Sequence, residues 1–261
     1  RGRRGGRRWS AAGPGERTPL FISSAYEMAP AWSPVGQYLA FTYAEDGKAD
    51  LYVATFDGGV EGEPVNLTQS PDAHDRYPTW SPDGRYLVYA SHDQGNWGLH
   101  RVELEFFEGD PIAVDHRRLT YSQLFQGHPS WSPIGSDIAF TADMGDRWQI
   151  LLTDTGGRGP SAFPGTDSYT SSAYPAWSPD GRRLAFASMQ SGDWDIYVIN
   201  ADGTELIQLT AHPAMDWDPS WSPNGRWIAF STTRNGAGDI YLVRADGSKL
   251  VRWTDAEAYE H

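Results

Sequence analysis

Apolar residues along this 261-residue chain gather in short runs separated by polar clusters rich in Gly, Pro and Asp. The stretch from 175 to 210 shows the pattern most plainly. Ala176-Trp177-Ser178 reads as a short strand and Pro179-Asp180-Gly181 as a tight turn, with Pro fixing φ and Gly supplying a positive one. Arg183-Leu184-Ala185-Phe186-Ala187-Ser188 alternates as a second strand, and Asp195-Ile196-Tyr197-Val198-Ile199-Asn200 is a third. Asp202-Gly203 is a favoured hairpin pair, and Glu205-Leu206-Ile207-Gln208-Leu209-Thr210 is the fourth strand. No stretch sustains a 3.6-residue period for more than two turns, so the chain is predicted to be all-β.

The same order of elements returns along the chain. Trp32-Ser33-Pro34-Val35-Gly36 recurs at Trp80, Trp131, Trp177 and Trp221, at intervals of 48, 51, 46 and 44 residues. Second strands read Leu39-Ala40-Phe41, Leu87-Val88-Tyr89, Ile138-Ala139-Phe140 and Ile228-Ala229-Phe230. The second repeat is the loosest, with an acidic insertion from Glu103 to Asp110. A period of about 40–50 residues with four strands per unit is that of a β-propeller blade. The expectation is five four-stranded antiparallel blades, each with its Trp on the innermost strand and packed between blades. The alternative left open is a longer, six-bladed array closed by the segment Pro19-Leu20-Phe21-Ile22-Ser23, with the ending Ala258-Tyr259-Glu260-His261 echoing Ala25-Tyr26-Glu27-Met28.

The run Pro175-Ala176-Trp177-Ser178-Pro179-Asp180-Gly181, with Leu184-Ala185-Phe186, Asp195-Ile196-Tyr197-Val198, Asp202-Gly203 and Leu209-Thr210, resembles the TolB-like (WD40-like, PD40) propeller repeat. The resemblance spans about residues 20 to 261. It implies a propeller, and it admits several occupations. Such repeats serve a periplasmic partner-binding protein, propellers attached to serine peptidases, and some polysaccharide lyases. A periplasmic or extracellular location is implied by the resemblance alone.

Composition narrows the field. Aromatics reach 13%, with 12 Trp and 13 Tyr, as suits short strands packed by large rings. The net charge of −13 conceals an asymmetry, because Arg1, Arg3, Arg4, Arg7 and Arg8 contribute +5 and the remainder carries −18. Residues 1–18 therefore read as a disordered basic arm and 19–261 as the propeller domain. An acidic body repels phosphate backbones and argues against nucleic acid as a partner. Cysteine is absent, which excludes disulfides and thiolate chemistry. No apolar run approaches the roughly 20 residues of a membrane-spanning helix.

No Gly-x-Ser-x-Gly nucleophile elbow and no phosphate-binding glycine loop occurs. Two sets, His74 with Asp75 and His128, and His212 with Asp216 and Asp218, hold metal-ligating residue types, but without a metal-binding spacing such as His-Glu-x-x-His. No catalytic residue, cofactor or metal is predicted. Trp97, Trp148 and Trp194 align across three repeats just before the third strand, where they either cover their own blades or stack a ligand. The loops from each fourth strand to the next first strand vary while the strands stay alike. They carry Tyr26, then His74, Asp75 and Tyr77, then His128, then Tyr174, then Asp216, Trp217 and Asp218. Rings mixed with charges on variable loops over a constant scaffold point to an interface. The expected function is a non-enzymatic module that binds a protein or peptide on that face. The alternatives are a carbohydrate-active enzyme on the same loops, or a propeller segment of a larger peptidase or structural assembly.

Overall fold

A computed structural model describes residues 26–56, 63–70, 72–166 and 170–254. They form twenty strands in five four-stranded antiparallel units, the first two joined by a parallel bridge between Ala49 and His74. The first comprises β1 (Tyr26–Trp32), β2 (Tyr38–Glu45), β3 (Lys48–Thr55) and β4 (Val65–Asn66), and the second β5 (His74–Trp80), β6 (Tyr86–Asp93), β7 (Asn96–Phe107) and β8 (Asp110–Arg118). The third has β9 (Gln126–Trp131), β10 (Asp137–Asp143), β11 (Trp148–Asp154) and β12 (Ser161–Ala162). The fourth has β13 (Ser172–Trp177), β14 (Arg183–Ser188), β15 (Asp195–Asn200) and β16 (Ile207–Gln208), and the fifth β17 (Asp216–Trp221), β18 (Trp227–Asn235), β19 (Ala237–Arg244) and β20 (Leu250–Arg252). The first strands β1, β5, β9, β13 and β17 lie beside one another in that order. These are five propeller blades, as the repeat predicts. Among the described residues no strand of the fifth blade packs broadly on the first, so the sheets form an open arc. The proposed basic arm, the closing segment 19–23 and the final residues 258–261 lie outside the described residues.

Each second strand reads as nearly unbroken apolar sequence because both faces of a blade are covered. Leu87 and Tyr89 pack with Tyr38, Leu51 and Val53 of blade 1, whereas Val88 and Ala90 pack with Ile138 and Phe140 of blade 3. The same division recurs at the two remaining junctions, with Phe163 and Phe186 in one and Ile196 and Phe230 in the other. Trp80 and Trp131 are buried in this way, and Trp80 and Trp221 donate their indole N–H to the carbonyls of Ala31 and Ala176 in the preceding blade. Trp32 departs from the expectation. It is 55% exposed and meets Phe56 edge-on, because no described blade precedes its own.

Two details refine the strand-level reading. The acidic insertion is a hairpin, the extended tips of β7 and β8 beyond a register shift at Glu103/Leu104, held back onto blade 1 by Tyr38, whose ring lies 4.7 Å from that of Phe106. The fourth strands β4, β12 and β16 are only two residues long. In blade 4 the Thr210 hydroxyl accepts the Ile196 amide just beyond the strand and so takes the place of a strand partner there. Thr68, Thr120 and Thr254 accept the amides of Leu51, Leu99 and Ile240 in the same way.

Candidate functional site

The inner strands do not run straight. Each carries a register shift against its neighbour, and at each shift one residue takes a left-handed backbone immediately before a proline. These residues are Ala29 (φ 52°), Tyr77 (60°), His128 (48°), Tyr174 (57°) and Asp218 (54°). A side chain in this region costs on the order of 1–3 kcal/mol and persists only where its surroundings hold it. Here the neighbouring blade supplies that hold. The displaced amide of Tyr77 donates to Thr42 Oγ1 at 3.1 Å, and that of Tyr174 to Thr141 Oγ1 at 2.9 Å. The following proline has no N–H to leave unpaired where the ladder breaks.

The bulges aim their side chains at one another. His128 lies between two tyrosines, 4.1 Å from the Tyr77 ring and 4.5 Å from the Tyr174 ring. Burial pushes its pKa down to about 4, so the ring is neutral at pH 7, and among the described residues its enclosed Nδ1 has no hydrogen-bond partner. Burial also raises the Tyr174 hydroxyl, helped by the nearby charge of Asp218 and by Tyr77. Asp218 keeps an open path to solvent while protein surrounds it on its other sides, and this enclosure raises its carboxyl. With water at hand that effect is screened.

Beside this cluster a cavity of about 260 Å³ opens between blades 3, 4 and 5. Phe125, Trp148, Tyr174, Trp194, Met215 and Trp217 line it, with His128 at its inner end. Trp148 and Trp194 are repeat-equivalent and both line the cavity, whereas Trp97 packs at a tilt on His92 and edge-on against Phe125. Such a slot suits an apolar or aromatic side chain, and its ring faces also attract a cation.

Other sequence candidates fall elsewhere. Tyr26 is 76% exposed at the start of β1, apart from the ring cluster. His74 stacks on His92. Asp216 is fully buried and engaged by Arg234 and Thr232. Asp75 is buried in a cleft between blades 1 and 2. Burial raises its carboxyl against the pull of the Ser91, Ser70 and Thr68 hydroxyls. Among the described residues no three His, Cys, Asp or Glu side chains come together as metal ligands, so neither candidate set converges.

At the opposite end, a depression of about 470 Å³ lies between the turns of blades 2 and 3. A second of about 320 Å³ lies between those of blades 4 and 5. Both are framed by Ser-Pro-x-Gly residues, so they are a groove that the repeat itself generates rather than a specialised site.

A family profile described as the TolB β-propeller domain matches residues 14–163 and 160–261. The chain belongs to that family. No curated protein matches it. Among solved structures, a TolB-type protein from Agrobacterium tumefaciens superimposes with a TM-score of 0.73 at 21% identity, over 89% of this chain and 82% of that one. TolB from Acinetobacter baumannii gives 0.72 at 22%, over 88% and 55%. A puromycin-hydrolyzing peptidase from Mycobacterium tuberculosis gives 0.66 at 15%, over 87% and 38%. At these identities the likeness is one of fold. TolB-like propellers thus occur beside different chemistries, and function must be read from the site.

Proposed function

We propose that this TolB-like propeller is a non-enzymatic binding module that receives a protein or peptide segment on the bulged ends of its inner strands. The observation that supports this reading is the set of five strained pre-proline positions. Four residue types occupy them, Ala, Tyr, His and Asp, and Tyr77, His128 and Tyr174 meet beside an aromatic cavity. Backbone strain kept at equivalent places, with varied rings and charges displayed there, fits a recognition surface better than a scaffold. The cavity is sized for an anchoring side chain and the surrounding cluster for its flanks. The family resemblance adds a periplasmic or extracellular setting.

Peptides selected from a displayed random library against the intact protein provide the test. Trp217→Ala or Tyr77→Ala should weaken their binding by about 1–2 kcal/mol or more while the melting curve stays cooperative. Selected peptides that ignore both substitutions but lose binding on Asp83→Asn or Asp180→Asn would place recognition at the turn end and refute the reading. A second reading, a propeller serving a larger enzyme, draws on the peptidase of which the matched region is 38%.

A further inference from the structure

Blades 2 and 5 carry an aspartate at the same place on their first strands, and the two are treated differently. In blade 5 Asp216 pairs across the ladder with Thr232, and in blade 2 Asp75 pairs with Ser91. Two residues before each cross-strand partner stands a ring, Phe230 opposite Tyr241 and Tyr89 opposite His100. Two residues after it the blades diverge, with Arg234 in blade 5 and Asp93 in blade 2.

Arg234 completes the blade 5 site. Its Nη2 bonds Asp216 Oδ2, its Nε donates to Oδ1 at 3.3 Å, and Thr232 Oγ1 donates to Oδ1 at 2.6 Å. The guanidinium lies 5.7 Å from the Phe230 centroid and 5.4 Å from that of Tyr241. Blade 2 keeps the carboxylate and the ring floor but lacks the cation. Asp75 is 1% exposed, and Ser70 Oγ donates to its Oδ2 at 2.9 Å. Among the described residues its Oδ1 has no hydrogen bond of good geometry, although the Ser91 and Thr68 hydroxyls stand close enough to pull on the carboxyl. The Nε2 of His100 is likewise buried and unpartnered. What occupies the place of Arg234 is a cavity of about 370 Å³, into which Asp72, Asp75, Tyr89, Asp93 and His100 face. The nearby cation Arg118 is engaged, donating to the carbonyls of Thr120 and Trp97. A buried carboxylate without a counter-charge is costly, and a bidentate guanidinium is its best complement.

We propose that this cleft between blades 1 and 2 binds a guanidinium group from a ligand, in the pose that Arg234 adopts in blade 5. One edge of the planar cation donates to Asp75, Asp93 closes on its other side, and its face lies over Tyr89 and His100. No covalent step is involved. The site is separate from the aromatic cavity and does not depend on it.

Calorimetric titration of the whole chain with acetyl-arginine methylamide, and with a pentapeptide carrying one central Arg, tests this. Saturable binding is expected, about tenfold or more weaker for Asp75→Asn and for the citrulline analogue, which keeps the shape without the charge. Asp93→Arg should abolish binding and raise the melting temperature, because a built-in guanidinium then fills the cleft. Asp180→Asn should bind as the natural chain does. A peptide that binds about tenfold tighter than the methylamide identifies a polypeptide arginine as the source, and equal affinities identify a free guanidinium compound. The proposal is overturned by no saturable binding to the natural chain, by equal binding of the citrulline analogue, or by unchanged binding in both Asp75→Asn and Asp93→Arg. Calcium or manganese ions that displace the methylamide and bind more tightly would also overturn it, as the cleft would then be an inorganic cation site.

Discussion

The two ends of each inner strand solve opposite problems with neighbouring residues. At the turn end the solution is repeated. The hydroxyls of Ser81, Ser178 and Ser222 accept the amides of Tyr86, Arg183 and Trp227, each at 2.9 Å, and donate to Asp83, Asp180 and Asn224. The Ser178 hydroxyl holds the Asp180 carboxyl below the usual range, with further help from the Arg182 amide and the Arg182 and Arg183 charges, against slight burial. At the bulge end the backbone repeats while the side chains vary among Ala, Tyr, His and Asp, and among the described residues His128 Nδ1 is left without a partner. The same serine-centred bonding in three of the five blades marks the end that holds the fold. Strain and unmet bonding mark the end free to specialise.

The largest effect should come from the turn end. Trp80→Ala removes a buried indole between blades and should cost about 3–5 kcal/mol in chemical denaturation. Trp32→Ala, at the exposed equivalent position, should cost less than about 1 kcal/mol. Equal losses would mean that inter-blade packing of this Trp is not what stabilises the arc. Next in size, Ser178→Ala strands the Arg183 amide and removes the bond to Asp180, for about 1–3 kcal/mol. A loss near zero would show that water replaces the hydroxyl.

The bulge end should reveal itself through pH. An unfolded histidine takes up its proton near 6.5, but folded His128 does so only near about 4. Between those values the unfolded chain binds more protons, so this residue's contribution is intact above about 6.5 and is lost as pH falls toward 4. His100, also lowered to about 4 by burial and Arg118, acts in the same direction. The difference between the natural chain and His128→Phe isolates one ring. The variant should lose less stability on acidification, and identical pH profiles would contradict the buried, neutral assignment. The smallest effect belongs to Ala29→Gly, which relieves a left-handed residue at the loss of one methyl. A gain of up to about 1 kcal/mol is expected, and a clear loss would show that the bulge backbone is not strained.

The scaffold was legible because its determinants are local. Trp-Ser-Pro-x-Gly encodes a turn within five residues, and the Leu-Thr pair marks the end of the third strand's outer partner. The site was legible in part. Tyr77, His128 and Tyr174 stand out as rings and they do meet, but on the inner strands β5, β9 and β13, which begin earlier than expected, where loops were read, because the bulge lets the ladder continue past each proline. Their left-handed backbone is signalled only by the proline that follows, a weak cue that fits ordinary strands as well. The fates of Asp75 and Asp216 could not be separated by local reading. What distinguishes them lies 18 residues further along the chain, an arginine in one blade and an aspartate in the other. The length of the fourth strands was not legible, since β4, β12 and β16 have two residues where β8 has nine, with similar polar and apolar sequence before each.

The short outer strands have a consequence for how these molecules behave in a crowd. The outer rim of a propeller is a row of sheet edges, each a template on which another chain can polymerise. Where the outermost strand is two residues long, as in blades 1, 3 and 4, little backbone remains for a stranger to zip onto, and in blades 1 and 4 a threonine also holds the adjoining amide. The long outer strand Asp110–Arg118 lacks this shortening, and there the sequence turns to Asp115, His116, Arg117 and Arg118 in succession. An incoming strand would have to strip water from that run of charges, so the rim resists aggregation by brevity in three blades and by hydration in the second.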